Sequence, residues 1–344
     1  MKKKTVLKDI AEKVGVSIAT VSYVLSKDKG SKVSTEMSEK IKKVARELDY
    51  QPNQIAKSLK SGKTFTIGLV VTDISNPFFA NIARIIEDEA AKMGFTVVFS
   101  SSDEKSEKSW GLLKFLINRQ VDGFIIVPAE GSEDQIKYLK ELHIPFILID
   151  RHFPEIPSNY VVIDNFKAAY SAVERLISTG NKKIGVIAYG NSLIHMKERI
   201  RGAVEAMENY GLPFKDEWLK KIDFANIQTD AMKAMEDLLV VDPPVTAIFF
   251  ASNSLAIHGL KKIDQLGLKV PQDVAIVSFD QGEAFDFYYS PITYVQQPLN
   301  ELGKQAVNIL IHEISGDQSG PGQRTLSTKL VIRESCGKER LRED

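Results

Sequence analysis

Residues 5–26 read TVLKDIAEKVGVSIATVSYVLS. Val6, Ile10, Ala11 and Val14 fall on one side of a helix that Thr5 is placed to cap. Gly15 breaks the pattern, and Ser17 is placed to cap a second helix in which Val21, Val24 and Leu25 face inward. A stretch rich in Lys, Gly and Ser follows from Ser26 to Lys32. Ser34 then opens a third helix, with Met37, Ile41, Val44, Ala45 and Leu48 at helical spacing. Two short helices around a glycine turn make a helix-turn-helix. In such a unit the second helix enters the major groove and its N-terminal residues meet base edges. The outward positions here are Ser17, Ile18, Ala19, Ser22 and Tyr23, and Thr5 and Thr20 complete the candidate DNA-contacting set of the head. Hydroxyls suit phosphates or bases, and Ile18 or Ala19 suits a thymine methyl. A three-helix bundle used for protein contacts would carry the same pattern.

Charge leans toward DNA. The chain is neutral overall, yet residues 1–63 hold 15 Lys and Arg against 7 Asp and Glu. A basic head on an acidic body suits a polyanionic partner, although a solvated lysine-rich face has the same composition.

From Phe65 onward the grammar changes. Short apolar runs alternate with amphipathic helices: 67–72, 96–100, 123–127 and 146–149, then 160–163, 183–188, 247–250 and 275–279, with one further short strand at 293–295. Apolar strands separated by helices imply parallel sheets covered on both faces. Two such series imply two doubly wound α/β lobes, with a boundary expected near 150–160 and a return crossing near 291–297. The expected domains are a helix-turn-helix head (1–50), a hinge helix and linker (51–64), and a two-lobed ligand-binding and dimerisation domain (65–338).

The run from Thr5 to Ser26, together with DYQPNQIAKSLKSGKTFTIGLVVTDISNPFFANI (residues 49–82), resembles the lactose/galactose repressor (LacI/GalR) family over essentially the whole chain. The resemblance implies a fold: an all-α head on a core like the periplasmic sugar-binding proteins. It also implies a role for Asn53 to Lys60, as a hinge helix that orders on operator DNA and pushes Leu59 between base steps in the minor groove. Asn53, Ala56, Leu59 and Lys60 are the candidate contacts there. An apolar wedge unstacks a step at a cost of a few kcal/mol, which the contacts made by bent DNA offset. Leu59 could equally be an ordinary interdomain contact. Many family members have Arg or His where this chain has Tyr23, so a bidentate guanine contact is lost.

In open α/β sheets, ligands bind beyond the carboxyl ends of the strands. Candidates there, matched to the ribose-binding pattern, are Asn76, Phe78, Phe79, Asp150, Arg151, Arg199, Phe224, Asn253, Asp280 and Gln296. Carboxylate, amide and guanidinium groups pair with hydroxyls, and aromatic faces cover the C–H side of a sugar ring, so a sugar or sugar-like polyol is the expected effector. Each has a plainer alternative. One of Phe78 and Phe79 is expected in the core, Asp150 and Asp280 could cap, and Arg151 and Arg199 could form surface ion pairs. Ser254 stands where the family often has Asp. A phosphorylated metabolite is a further alternative, held by Lys197 and Arg201 near Arg199.

Other classes fit poorly. With 43% hydrophobic and 26% charged residues the chain is neither disordered nor collagen-like, and 344 residues allow two or three domains. Its single cysteine, Cys336, forms no disulfide framework or cysteine metal site within the chain. No Walker loop, G-x-S-x-G or H-E-x-x-H occurs, and the five histidines lack ligand spacing. No enzyme, metal or cofactor is therefore expected. The MKKK start has no apolar run after it and no stretch suits a membrane span, so a cytoplasmic protein is expected. The expected partners are a pseudo-palindromic double-stranded operator, the effector and a second copy in a homodimer.

Overall fold

The computed structural model describes residues 5–25, 33–50, 62–316 and 322–338. It comprises two compact units, Met1–Thr64 and Phe65–Asp344.

The first unit holds helices α1 (Leu7–Val14), α2 (Ile18–Leu25) and α3 (Thr35–Glu47). Ile10, Val21 and Ile41, one from each helix, are fully buried and pack with Ala11, Val14, Val44 and Ala45. Gly15 ends α1 at φ 82°, its N–H donating to the Ala11 carbonyl at 2.9 Å. A side chain at that left-handed position would cost about 1–2 kcal/mol. Ser17 caps α2, its Oγ accepting from Thr20 N at 3.1 Å, and Ser34 caps α3 through Met37 N at 3.3 Å. Thr5 does not cap α1. Val6 takes that place, with its N–H donating to the Asp9 carboxylate at 2.8 Å. The Thr5 hydroxyl instead donates to the Leu48 carbonyl at 2.8 Å, tying the chain start to the end of α3.

So small a core has little to spare. Ile41→Val removes one methylene from its centre and is expected to cost about 0.5–1.5 kcal/mol. Amide hydrogen exchange on the full chain should show the loss of protection confined to α1–α3. Equal loosening of the second unit would contradict independent cores.

The second unit has two six-stranded sheets. In the first lobe β1 (Thr66–Val71), β2 (Thr96–Ser101), β3 (Gly123–Ile126), β4 (Phe146–Ile149), β5 (Tyr160–Ile163) and β11 (Gln323–Leu326) lie in the order β11-β5-β4-β3-β1-β2, all parallel. The second lobe holds β6 (Ile184–Tyr189), β7 (Leu219–Ile222), β8 (Ala247–Phe250), β9 (Ala275–Phe279), β10 (Thr293–Gln296) and β12 (Lys329–Val331). Their order, β12-β10-β9-β8-β6-β7, repeats that of the first lobe, and only β12 is antiparallel. Helices α4 (Pro77–Lys92), α5 (Ser106–Asn118) and α6 (Glu133–Glu141) cover the first sheet. The second is covered by α7 (Asn165–Ser178), α8 (Ile194–Asn209), α9 (Ile227–Val240) and α10 (Asn253–Gln265), with the short α11 (Glu283–Phe287).

The lobe crossings differ from the sequence reading. Tyr160–Ile163 pairs with β4 and so belongs to the first sheet, which moves the first crossing to residues 163–165. Thr293–Gln296 pairs with β9, so the return comes at 296–299, and α12 (Leu299–Ile314) packs Leu302, Ala306 and Leu310 into the first-lobe core. A third crossing follows β11. The strands that periodicity missed are β7, β11 and β12. All three are short and lie at sheet edges, where Lys220, Lys221, Arg324 and Lys329 keep water contact and erase the apolar run. Among the described residues no helix is long and apolar enough to cross a membrane.

Candidate functional site

On the head, Ser17, Ile18 and Ala19 are exposed at the start of α2, and Thr20, Ser22 and Tyr23 are half-buried. Ile18 leaves 48% of its surface in water. The Ser17 hydroxyl is occupied by capping and lies 2.8 Å from Thr20 Oγ1. Ile18 and Ala19 are thus the apolar groups presented at the helix N-terminus. Asn53, Ala56, Leu59 and Lys60 lie outside the described residues.

In the core, the carboxyl ends of both sheets face one cleft. Asp150 follows β4 and Asp280 follows β9, equivalent places in the two lobes, and both take left-handed backbone at φ 65° and 66°. Among residues with a side chain, Asp and Asn tolerate such backbone best, and it concentrates at functional sites. Both carboxylates are buried. Burial raises the pKa of Asp150, opposed by Arg151 and Arg199. Burial likewise raises that of Asp280, opposed by Arg199 and by Gln297, whose Nε2 donates to it at 2.6 Å.

Arg199 comes from α8 and is 3% exposed. Its Nε donates to Asn165 Oδ1 and its Nη1 to the Ala251 carbonyl, each at 2.8 Å. Asp280 lies 3.8 Å away, and the guanidinium sits 3.6 Å over the Phe279 ring. Burial lowers its pKa, opposed by Asp280 and Asp150, yet an arginine stays charged. Neither Arg199 nor Arg151 is a surface ion pair. Arg151 is buried, and both its terminal nitrogens donate to Glu104, at 2.7 and 2.6 Å. Burial disfavours its charge, and the charge and hydrogen bonds of Glu104 more than offset that, so its pKa is raised.

Polar groups also meet across the cleft. Asn76 caps α4 by accepting from Phe78 N at 3.0 Å. It also donates to Ser254 Oγ and accepts from Asn253 Nδ2, both at 3.4 Å. Ser192 N donates to Glu130 at 2.7 Å, and Leu193 from the second lobe is buried among first-lobe residues Phe153 and Ile156. Phe78 and Phe79 are both core residues, packed edge to face at 5.0 Å. Phe78 also borders a cavity of about 10 Å³ with Asp280 and Gln297. Phe224 pairs with Tyr189 at 5.8 Å. Gln296 donates to Gln281 at 3.0 Å.

Glu104, Tyr189, His195 and Gln297 were missed by sequence reasoning. Glu104, Tyr189 and Gln297 stand at or just past strand ends, so the rule that found Asp150 reaches them too. His195 is 4% exposed at the start of α8, and its Nδ1 has no hydrogen-bond partner. Burial, with Arg151, Arg199 and His152 nearby, holds its pKa well below the usual histidine value. Lys197 and Arg201 do not join Arg199. Lys197 is exposed, and Arg201 pairs with Glu198 and Glu205 over Phe166, so a phosphate held by all three has no geometric basis.

Two family models match the chain. "Periplasmic binding proteins and sugar binding domain of LacI family" covers residues 64–335, and "Bacterial regulatory proteins, lacI family" covers residues 6–53. The transcriptional repressor CytR of Escherichia coli K12 is 32% identical over 333 residues, 96% of this chain and 95% of that protein. The transcriptional repressor PurR of Actinobacillus pleuropneumoniae serotype 3 is 31% identical over 331 residues, 96% of this chain and 97% of that one. Among solved structures, a complex of the transcriptional regulator CelR with cellobiose has 29% identity and a TM-score of 0.72, covering 96% of this chain and 100% of that one.

Proposed function

We propose that this chain, which belongs to the LacI family of bacterial regulatory proteins, couples operator binding by its helical head to occupancy of the interlobe cleft by a small sugar-like effector. It is a DNA-binding transcriptional repressor rather than an enzyme. Its operator places it in the cytoplasm, and the genes it controls are those of carbohydrate use.

The observation that carries the effector reading is the convergence of Asp150, Arg151, Arg199, Asn253 and Asp280, all buried, at the carboxyl ends of both sheets. Folding would not bury so many charged and polar groups together without a use for them. The sugar-binding domain of the matched family model and the cellobiose complex of CelR support a carbohydrate. The cavity beside Phe78, Asp280 and Gln297 holds about 10 Å³, no larger than one water, so a sugar ring taking that place would require the lobes to part. Effector binding and lobe movement are then one equilibrium, and the effect on DNA affinity equals the effector's preference between the two arrangements.

A pseudo-palindromic operator calls for two heads, hence a homodimer. Val98 and Phe99 on edge strand β2, with Phe115 on α5, are exposed apolar residues that suit a contact between first lobes.

The effector reading is tested by thermal unfolding against pentoses, hexoses and disaccharides. A selective rise in midpoint is expected for one of them. No rise with any would sink it. The DNA surface is tested separately with Ile18→Asp, using an operator selected from random duplexes. Loss of one base contact and repulsion from phosphate should weaken binding at least about tenfold, leaving the thermal response to sugar unchanged. Unchanged operator affinity would remove α2 from the groove.

A further inference from the structure

Glu104 follows β2 by three residues. It and Asp103 are successive non-glycine residues in left-handed backbone, at φ 55° and 54°. Such conformations persist only where the surroundings impose them. Here the Thr72 carbonyl accepts from Glu104 N at 3.1 Å, and Asp103 is held outside by Lys108 and Ser101. The result is that Glu104 turns inward, its side chain only 16% exposed.

Its two oxygens fill the fork of Arg151, Oε2 on Nη1 at 2.7 Å and Oε1 on Nη2 at 2.6 Å. The Pro128 carbonyl takes a further contact from Nη1 at 3.4 Å, and Asp150 lies 3.4 Å from Nε. That fork is the group best shaped to grip a carboxylate or phosphate on a ligand. Here a carboxylate of the protein occupies it. Arg199, the second guanidinium, donates from Nε to Asn165 and from Nη1 to the Ala251 carbonyl and faces Asp280. Among the described residues, Glu104, Asp150 and Asp280 thus set three carboxyl groups against two guanidiniums, and burial with both arginines nearby lowers the pKa of His195. An anionic ligand would have to compete with Glu104 for the Arg151 fork.

We propose that Glu104 is a specificity-determining residue of the cleft: by filling the Arg151 fork it limits the effector to uncharged polyols and excludes phosphate esters and sugar acids. This rests on the cleft being the effector site. It makes the cleft's selectivity a matter of one carboxylate on a strained turn, outside the set of residues that would hold a sugar ring directly.

The test uses the full chain and inorganic phosphate as probe, with sodium chloride matching ionic strength, read as the thermal midpoint. Wild type should show no phosphate-specific shift. Glu104→Ala and Glu104→Gln should bind phosphate at least about tenfold more tightly than wild type, since one charged, bidentate partner has been freed. Adding Arg151→Met to Glu104→Ala should abolish the gain. Two results would overturn the proposal: no gain in either folded variant, or a phosphate or ribose 5-phosphate shift in wild type that Arg151→Met removes. If neither variant folds, Glu104→Asp withdraws the carboxylate by one methylene, and absence of any gain there counts equally against it. The two readings fail separately. A phosphate gain in Glu104→Ala with no wild-type response to any neutral sugar would sink the sugar reading and leave the role of Glu104 standing. A wild-type response to a neutral sugar with no phosphate gain would do the reverse.

Discussion

Arg199→Met is expected to lower the stability of the two-lobed core by about 3–5 kcal/mol and to abolish its response to effector. The side chain volume is roughly kept, so the loss comes from electrostatics rather than a cavity. Asn165 Oδ1 and the Ala251 carbonyl each lose a charged donor at 2.8 Å. Hydrogen bonds to a charged group contribute about 1.5–3 kcal/mol each, and the cation–π contact over Phe279 adds up to about 2. Asp280 loses the positive charge that opposes its burial, and its pKa rises further. Asp280→Asn on top of Arg199→Met removes that unpaired acid and should restore part of the lost stability, so the double-mutant cycle is non-additive. Urea unfolding measures all three variants. A loss under about 1 kcal/mol would mean the cleft relaxes around the missing guanidinium, and the view of Arg199 as the centre of the cleft would fall.

Gly202→Ala should destabilise by about 3 kcal/mol although it lies inside a helix, where alanine is favoured by about 1 kcal/mol. A Cβ on Gly202 of α8 would stand 2.2 Å from the Phe166 carbonyl oxygen and 3.1 Å from Tyr170 N. Both belong to the backbone of α7, so no side chain can swing away and the two helices must part. The same substitution at Gly111, on α5, meets nothing within 4 Å and should stabilise by up to about 1 kcal/mol. Opposite signs for one chemical change at two helical glycines would identify close helix approach as the cause. Equal signs would contradict it.

Much of the architecture was legible in the chain itself. The head could be read because Gly15, Ser17 and Ser34 act within a few residues of their own positions, and Ile10, Val21 and Ile41 recur at helical spacing. The alternation of apolar strands and amphipathic helices could be read because β1, β3, β4, β8 and β9 are buried on both faces. Edge strands such as Leu219–Ile222 stayed hidden because half their surface meets solvent, as did the true crossing after Ile163, since strand pairing rather than composition assigns β5 to its sheet.

Site residues divide in the same way. Asp150, Asn253 and Asp280 were readable as residues that end strands. What Arg151 does was not, because its partner Glu104 is 47 residues away and meets it only through an unusual turn. Asn76 and Ser254, 178 residues apart, meet only because two independently formed sheets face each other. By itself the sequence determined the helical head, the two doubly wound lobes and the end of each sheet at which a ligand is expected, because burial period and capping are local. Only the tertiary structure decided that Arg151 is occupied, that Gln297 holds Asp280, that His195 is buried and that Gly202 admits no side chain. Each of those depends on a distance between segments far apart in the chain, and no local pattern encodes such a distance.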